Sequence, residues 1–556
     1  MPNYKTLAQR PLVWILGLFA ASLAVGTFYD YGLSTAGDEL PLISTAFKML
    51  SDHTLRPDYV VFYHLALGVY LYLPFVALLL GFLLLFRVFP SVAALKQFAL
   101  LDFFKFLPLA RVITLGVSVA SIYLTYKIAE KLFKQRAVAL YASAFMATSL
   151  LFSYASHFGR VWPVQITAML AALYLIVLFY ERAENTWKNF AIVGLALGIS
   201  FGVHFIGLFV YAPFLLVLWL RYGRQALVDG RFWLANGIIA AIAAFVFYLN
   251  PYGFTNYTRS IDFLFNPVSK TPAWYDYVPT PLGDKVTYYA HVLIGYDPIL
   301  LVISLAGGYL LFRNNKKVFA IVGGFAVLYF VGISALGYVA RYVAPIIPFL
   351  AMLAGYGFYE ATKGLQPRFQ KSLCVVLFGI LCIPPVCLDA WMLRQSTRSE
   401  ALSYVYAQVP AGKRVVMFDN FMPLNENKQT LEDAQAYTDD YTIKRSYLNS
   451  LDPALLPAPN YYVLTVPLFL RKSMPAALTG HYDYAVLAWW SESERNQQRA
   501  QLAQITKGEE AEPITRFGAS STPLDVANDA MSPIPYLLSG GQSGPTIEVV
   551  ALHPKN

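Results

Sequence analysis

The sequence is short of cysteine and of charge. It has three cysteines in 556 residues, Cys374, Cys382 and Cys387, all in one apolar run. Three thiols spread through a greasy segment form neither a disulfide framework nor a metal cluster; they read as packed or lipid-facing small residues. No cysteine follows residue 392, so thiol usage says nothing about the compartment of the C-terminal part. Charged residues make up only 13% of the chain, about half the share typical of a soluble domain. The sequence also lacks GxxxxGK[ST], a GxGxxG opening a helix after a strand, and HExxH. A cytosolic nucleotide-driven mechanism therefore has no support. Internal repeats are absent too, and ionisable residues sit mostly at the ends of apolar runs, with His204 the main exception. Both features count against a transporter.

What the chain has is apolar length. Hydrophobic residues reach 57% and the mean hydropathy is +0.49, which predicts a polytopic membrane protein. Runs such as VALLLGFLLLF and LAALYLIVLF are unbroken, so the spans are helices and not the alternating strands of a barrel. Runs of span length lie near residues 12–29, 62–86, 107–126, 138–152, 164–180, 190–220, 232–249, 293–312, 318–336, 343–361 and 372–392. The first is too long for a signal-peptide core and has no small-residue cleavage site, so it reads as a retained span.

The net charge of +9 points to basic cytoplasmic loops and not to nucleic acid. KIAEKLFKQR, RYGRQALVDGR, RNNKK and KGLQPRFQK all fall inside by the positive-inside rule, as do Lys5 and Arg10. This forces a choice of parity. Leaving the membrane at residue 30 and returning by 127 requires an odd number of crossings, yet two runs lie between. The run 62–86 is interrupted by Pro74 and Gly81 and starts with Tyr63, His64, Tyr70 and Tyr72, so it is assigned as re-entrant or interfacial. The run 190–220 then crosses twice, turning near GVHFIG. About eleven crossings result, with the C-terminus outside. After 392 the pattern changes to KRVVMFD, NYYVLTV, YDYAVLAW and TIEVVAL strands among polar helical stretches, a soluble α/β domain with its own core. The expected division is 1–392 in the membrane and 393–556 outside it.

The outer face collects the unusual residues. TFYDYGLSTAGDEL places Asp38 and Glu39 side by side at the first exit, followed by Lys48, Asp52, His53, Arg56 and Asp58. FSYASHFGRVWP brings His157 and Arg160. His204 lies inside the double-crossing run. The Tyr-, Trp- and Pro-rich loop from NPYGF onward carries Arg259, Lys270, Lys285 and His291, and GYVARYVAPIIPFL carries Arg341 and Tyr342. Singly, each has an ordinary reading: a solvated acidic pair, interfacial cations, a membrane aromatic belt. Together, acids beside cations over an apolar cleft suit a lipid-linked phosphate substrate. The carboxylate would take a proton from the acceptor, and Arg160, His157, His204, Arg341, Tyr342 and Lys270 would hold the phosphate leaving group.

The order of these segments resembles the C-type (GT-C) glycosyltransferase superfamily, in the branch of protein O-mannosyltransferases and aminoarabinose transferases. The resemblance covers residues 1–392, with NPY and RYVAPIIPFL the clearest local matches and GDEL at the position of the acidic motif. It implies an inverting transferase in the plasma membrane that uses a polyprenyl-phosphate sugar. Asp38 would be the general base, and Glu39 would support it or position the acceptor, which would be a lipid, a glycan or a protein. Metal dependence varies in such enzymes, so a divalent cation is the one candidate cofactor. The second outer turn, HFGRVW, has no acidic residue where relatives often have one, and His204 stands where many have Lys. The alternative is a catalytically inactive GT-C-like scaffold or accessory subunit of an envelope or glycan assembly complex.

Overall fold

The computed structural model of the protein describes residues 4–33, 39–57, 66–182, 186–250, 282–334, 339–438, 442–468, 474–518 and 533–554. The first span is α1 (Tyr4–Val25). Three shorter or oddly placed helices follow, α2 (Leu40–Ser51), α3 (Leu67–Leu85) and α4 (Val92–Leu101). Next come α5 (Leu107–Phe133), α6 (Arg136–Ala147), α7 (Leu150–His157), α8 (Val161–Glu181), α9 (Trp187–Val203), α10 (Tyr211–Tyr222) and α11 (Gly230–Leu249). The membrane part closes with α12 (Leu282–Tyr296), α13 (Pro298–Asn314), α14 (Lys316–Ser334), α15 (Ile347–Thr362) and α16 (Pro367–Met392). Among the described residues, nine helices are long and apolar enough to cross a membrane, or eleven if each bent pair is one span. The protein is a multi-pass integral membrane protein.

The breaks have local causes. α6 and α7 meet at 59°, and α12 and α13 at 110°. Asp297, at the second break, serves the first. Its carboxylate accepts from the Leu150 N–H (2.8 Å), the Leu151 N–H (3.3 Å) and the Ser149 hydroxyl (2.7 Å). The open N-terminus of α7 is thereby satisfied where water is scarce. The run 190–220 turns back at His204, as expected. Its backbone is extended (φ −159°, ψ 142°), and a Cβ on Gly207 would lie 2.1 Å from the Ser200 carbonyl oxygen. Only glycine lets the returning chain pass that close.

Contacts at helix ends sort the crossings. Lys131 pairs with Glu181 (3.1 Å), Arg221 donates to the Phe179 carbonyl (2.7 Å), and Gln370 donates to the Tyr141 hydroxyl (3.1 Å). These put the basic ends of α5, α8 and α10 together, and likewise the starts of α6 and α16. The exception is α3. By length and composition it could span. Yet Ser396 N–H meets Asp30 (3.3 Å) before it, and Lys444 Nζ meets the Leu101 carbonyl (2.8 Å) after it. Both ends of residues 30–101 thus touch the same C-terminal domain, and α2, twelve residues long, cannot cross a hydrocarbon core of about 30 Å. With α3 counted, the single spans and bent pairs together number eleven among the described residues.

The C-terminal domain begins with α17 (Thr397–Gln408) and β1 (Arg414–Met417), then α18 (Lys428–Tyr437), α19 (Ile443–Ser450), β2 (Tyr462–Thr465), β3 (Tyr484–Trp489), α20 (Glu492–Ile505), β4 (Glu510–Phe517), α21 (Ile534–Leu538) and β5 (Thr546–His553). The sheet order is β2-β1-β3-β5-β4. β1 runs parallel to β2 and β3, while β5 runs antiparallel to β3 and β4. Four strands fall on the four expected segments. β4 escapes sequence reading because EAEPITRF is charged, contains Pro513 and is exposed along almost its whole length, as edge strands often are.

Candidate active site

The described core of the site is a buried ion pair. Glu39 immediately precedes α2 and is fully buried. Arg111, in the first turns of α5, binds it with two parallel bonds, Nε to Oε1 and Nη2 to Oε2, both 2.9 Å. The Gly159 N–H adds a third bond to Oε1 at 2.8 Å. The remaining Arg111 nitrogen donates to the Tyr29 carbonyl at 2.5 Å. One pair thus ties the loop after α1, the start of α5 and the turn between α7 and α8. An ion pair in a low-dielectric interior persists only when its spare donors and acceptors are met like this.

Gly159 is required by the approach. A Cβ there would sit 2.5 Å from the Ala110 Cβ and 3.2 Å from its carbonyl carbon. Gly159→Ala is expected to push the turn off α5, lengthen the bond to Glu39 and destabilise the protein by about 1–3 kcal/mol. Thermal unfolding of the purified protein in detergent checks it; an unchanged midpoint would mean that the turn is not held against α5.

Arg160 follows, almost wholly buried. Its guanidinium lies over the rings of Phe158 (4.9 Å) and Tyr154 (5.8 Å), and Nη1 bonds the Tyr154 hydroxyl (3.2 Å). Trp162 sits in the first turn of α8. Its ring packs 5.1 Å from that of His204 and 4.9 Å from that of Tyr342. His204 Nδ1 accepts from the Ile206 N–H (3.3 Å), so the imidazole also caps the turn it made. The indole N–H of Trp162 and the hydroxyl of Tyr72, on α3, are buried with no hydrogen-bond partner among the described residues. Gly68, one turn before Tyr72, packs on Leu42, Val161 and Val203, which places this face of α3 against the same cluster.

Trp162 thus joins His204 to Tyr342, and Glu39 is tied through the Gly159 N–H to the turn that carries Arg160. Arg341 lies beside Tyr342 in the 340–346 turn. His157 has partners of its own: Nδ1 faces the Ser153 carbonyl (2.8 Å) and Nε2 faces Asp389 (3.0 Å), whose other oxygen accepts from Ser22 (2.7 Å). Both its nitrogens are engaged, bracing α1, α7 and α16. Asp38 and Lys270 lie outside the described residues, as do Asp58 and Arg259. No three His, Cys, Asp or Glu side chains gather at metal-binding distance among the described residues. Of the described carboxylates here, Glu39, Asp297 and Asp389 hold partners, while Asp30 accepts from the Ser396 N–H through one oxygen and its other oxygen is buried with no hydrogen-bond partner among the described residues.

Sequence reading missed Arg111, Asp297 and Asp389. The signal existed: each interrupts an apolar stretch, where an ionisable side chain is costly unless partnered. The expectation that charges sit at run ends hid Arg111 and Asp389, which lie one turn or so inside their helices.

These observations define a class: a multi-pass membrane protein with a buried charged and aromatic cluster at the ends of its helices, and a mixed α/β domain. Within that class, residues 94–249 match the family model of the dolichyl-phosphate-mannose-protein mannosyltransferases, the group that the sequence resembles. No curated protein matches the chain. Among solved structures, the chain is similar to ArnT from Cupriavidus metallidurans bound to undecaprenyl phosphate, at 13% identity over 98% of both chains, with a TM-score of 0.49. It is also similar to the oligosaccharyltransferase AglB from Archaeoglobus fulgidus, at 12% identity over 91% of this chain and 72% of that one, with a TM-score of 0.45.

Proposed function

We propose that this protein is an inverting glycosyltransferase that moves a sugar from a polyprenyl-phosphate donor to an acceptor at the outer face of the plasma membrane. Residues 1–392 form the catalytic part and 393–556 an outer domain. The observation that carries this reading is an overlap. The segment matching the mannosyltransferase family, 94–249, contains Arg111 and Gly159, which bind Glu39, and Arg160 and Trp162, which follow Gly159 in the chain, with His204 against Trp162. Glu39 is bonded directly to Asp38 in the chain.

In this reaction the Asp38 carboxylate takes the proton from the acceptor hydroxyl or amine. The freed electron pair attacks the anomeric carbon. The bond from that carbon to the phosphate oxygen breaks, and polyprenyl phosphate leaves with the bonding pair. A single in-line displacement inverts the anomeric centre. Arg160, His204, Arg341, Tyr342 and Lys270 serve the phosphate side. The buried N–H of Trp162 and hydroxyl of Tyr72 are neutral donors available to the substrate. Glu39, clamped by Arg111, holds the acidic loop in place, and His157 braces the turn before Arg160.

The test incubates purified protein with polyprenyl-phosphate sugars and follows sugar release and transfer. A wild-type protein that consumes none of them would defeat the reading for those donors. Arg160 offers a second check. Arg160→Ala is expected to raise the donor KM at least tenfold, the size of one lost charge-assisted hydrogen bond, with Arg160→Lys retaining part of the affinity. Unchanged donor affinity in a folded Arg160→Ala protein would remove Arg160 from the phosphate site.

A further inference from the structure

The C-terminal domain meets the membrane part by the edge of its sheet where the parallel strands end. α16 closes at Met392 and α17 starts at Thr397. Arg398, the second residue of α17, pairs with Asp419 at 2.7 Å, and Asp419 stands two residues beyond the end of β1. Helix and strand therefore run in opposite directions, and the carboxyl end of β1 returns to where the chain left α16. β3 is parallel to β1, so its carboxyl end lies on the same edge. What that edge faces is fixed by the Ser396 N–H, which meets Asp30 in the loop after α1 (3.3 Å). Burial raises the Asp30 carboxyl above its ordinary pKa, while the bonding from Ser396 and the charges of Arg111 and Arg398 oppose the rise. Arg398 is thus within electrostatic reach of the loop that leads to Asp38.

The winding of the sheet singles out one place on this edge. From β1 the chain crosses to β2 on one side and then to β3 on the other. In open α/β sheets, ligands bind outside the carboxyl ends of the strands at such a reversal. The residues there are Asp419, Asn420 and Phe421 after β1 and Trp490 after β3. The Arg398 guanidinium lies 5.0 Å from the ring centre of Phe421 and 5.8 Å from that of Trp490. The ion pair is buried, both rings are half-buried, and Asn420 is exposed. Both loops are held in place: the Phe421 N–H donates to Asp419 Oδ1, and the Trp490 N–H to the Glu494 carboxylate, each at 2.7 Å.

Two aromatic rings around a neutralised ion pair suit a neutral ligand with a flat apolar face and a polar rim. A pyranose has that shape, with C–H groups on one face for the rings and hydroxyls at the rim for Asn420. An anion is disfavoured, because Asp419 already offsets the Arg398 charge and Glu494 stands behind Trp490. A lipid surface would make no use of the ion pair. We propose that Phe421, Trp490 and Asn420 form a saccharide-binding subsite on the membrane-facing edge of the C-terminal domain, which holds a neutral glycan portion of the acceptor. Calling the ligand an acceptor rests on the proposed transferase function; binding itself is read without any sugar moving.

The experiment measures binding to purified full-length protein in a detergent without sugar head groups. Mannotriose, chitotriose and trigalacturonate are titrated, followed by saturation-transfer NMR and calorimetry. At least one of the two neutral trisaccharides is expected to bind. Trp490→Ala is expected to weaken it about tenfold, the size of one lost aromatic contact, with Trp490→Phe within threefold of wild type. Phe421→Leu repeats the measurement should the Trp490→Ala protein fail to fold. Affinities within twofold of wild type in a folded Trp490→Ala protein overturn the proposal, as does a wild type that binds neither neutral trisaccharide or only trigalacturonate. Bilayers containing brominated phosphatidylcholine test the membrane as occupant. Quenching of wild-type fluorescence that disappears with Trp490→Ala would seat the indole in lipid and also overturn the proposal. A Trp490-dependent saccharide affinity in a protein that transfers no sugar would uphold the subsite and sink the transferase reading.

Discussion

Asp38→Asn is expected to lower sugar transfer by about 100-fold or more while leaving the protein folded. Taking a proton from the acceptor contributes typically 10²–10⁴ in rate, and an amide of the same shape cannot accept that proton. The loss should fall on kcat, because Asn keeps the size and most of the hydrogen bonding of the carboxylate. The donor KM should move little, since the phosphate contacts come from other elements. The scaffold that presents Asp38 is held one residue away, where Glu39 is fixed by Arg111 and by the Gly159 N–H, so the Asn variant should melt within a degree or two of wild type. Equal activity in the two proteins would show that Asp38 is not the base. Loss of both activity and thermal stability would mean that it serves the fold.

How much of this was legible in the sequence depends on what kind of interaction was being read. The spans were legible because apolar length is a property of each segment alone. The turn at His204 was legible because parity of the basic loops demanded it. Parity argued for a non-spanning run at 62–86, whereas the composition of α3 alone argues the other way. Partners were not legible. Glu39 and Arg111 stand 72 residues apart, and Asp389 and His157 stand 232 apart. Nothing local to GDEL says which cation folds onto it. As a result Glu39 read only as a support for Asp38 or a positioner of the acceptor, whereas the structure gives it three bonds and a buried counter-ion. β4 fell between these cases, since an edge strand with a proline and two exposed faces lacks the alternation that betrays a strand.

The Glu39–Arg111 pair yields the largest expected effect on stability, and a variant series separates its two roles. Glu39→Ala leaves a guanidinium buried without its counter-ion, and Arg111→Met leaves a carboxylate buried with only the Gly159 N–H. Removing one partner of a buried pair costs about 3–5 kcal/mol, a large share of the roughly 5–15 kcal/mol that keeps a domain folded. Both single variants should give little monodisperse protein, melting well below wild type. The double variant Glu39→Leu with Arg111→Met removes both charges and keeps much of the volume. Replacing a buried pair with packed apolar groups is often neutral or stabilising, so the double variant should recover most of the lost stability. Activity should not recover with it. The leucine cannot accept the Gly159 N–H, so the acidic loop and the turn before Arg160 lose their common anchor. We expect kcat at least tenfold below wild type in a protein that melts normally, because misplacing a catalytic group by about 1 Å can cost 10²-fold. If activity returns in step with stability, the pair is a structural staple only. If the single variants are as stable as wild type, the loop after α1 is held by something other than this ion pair.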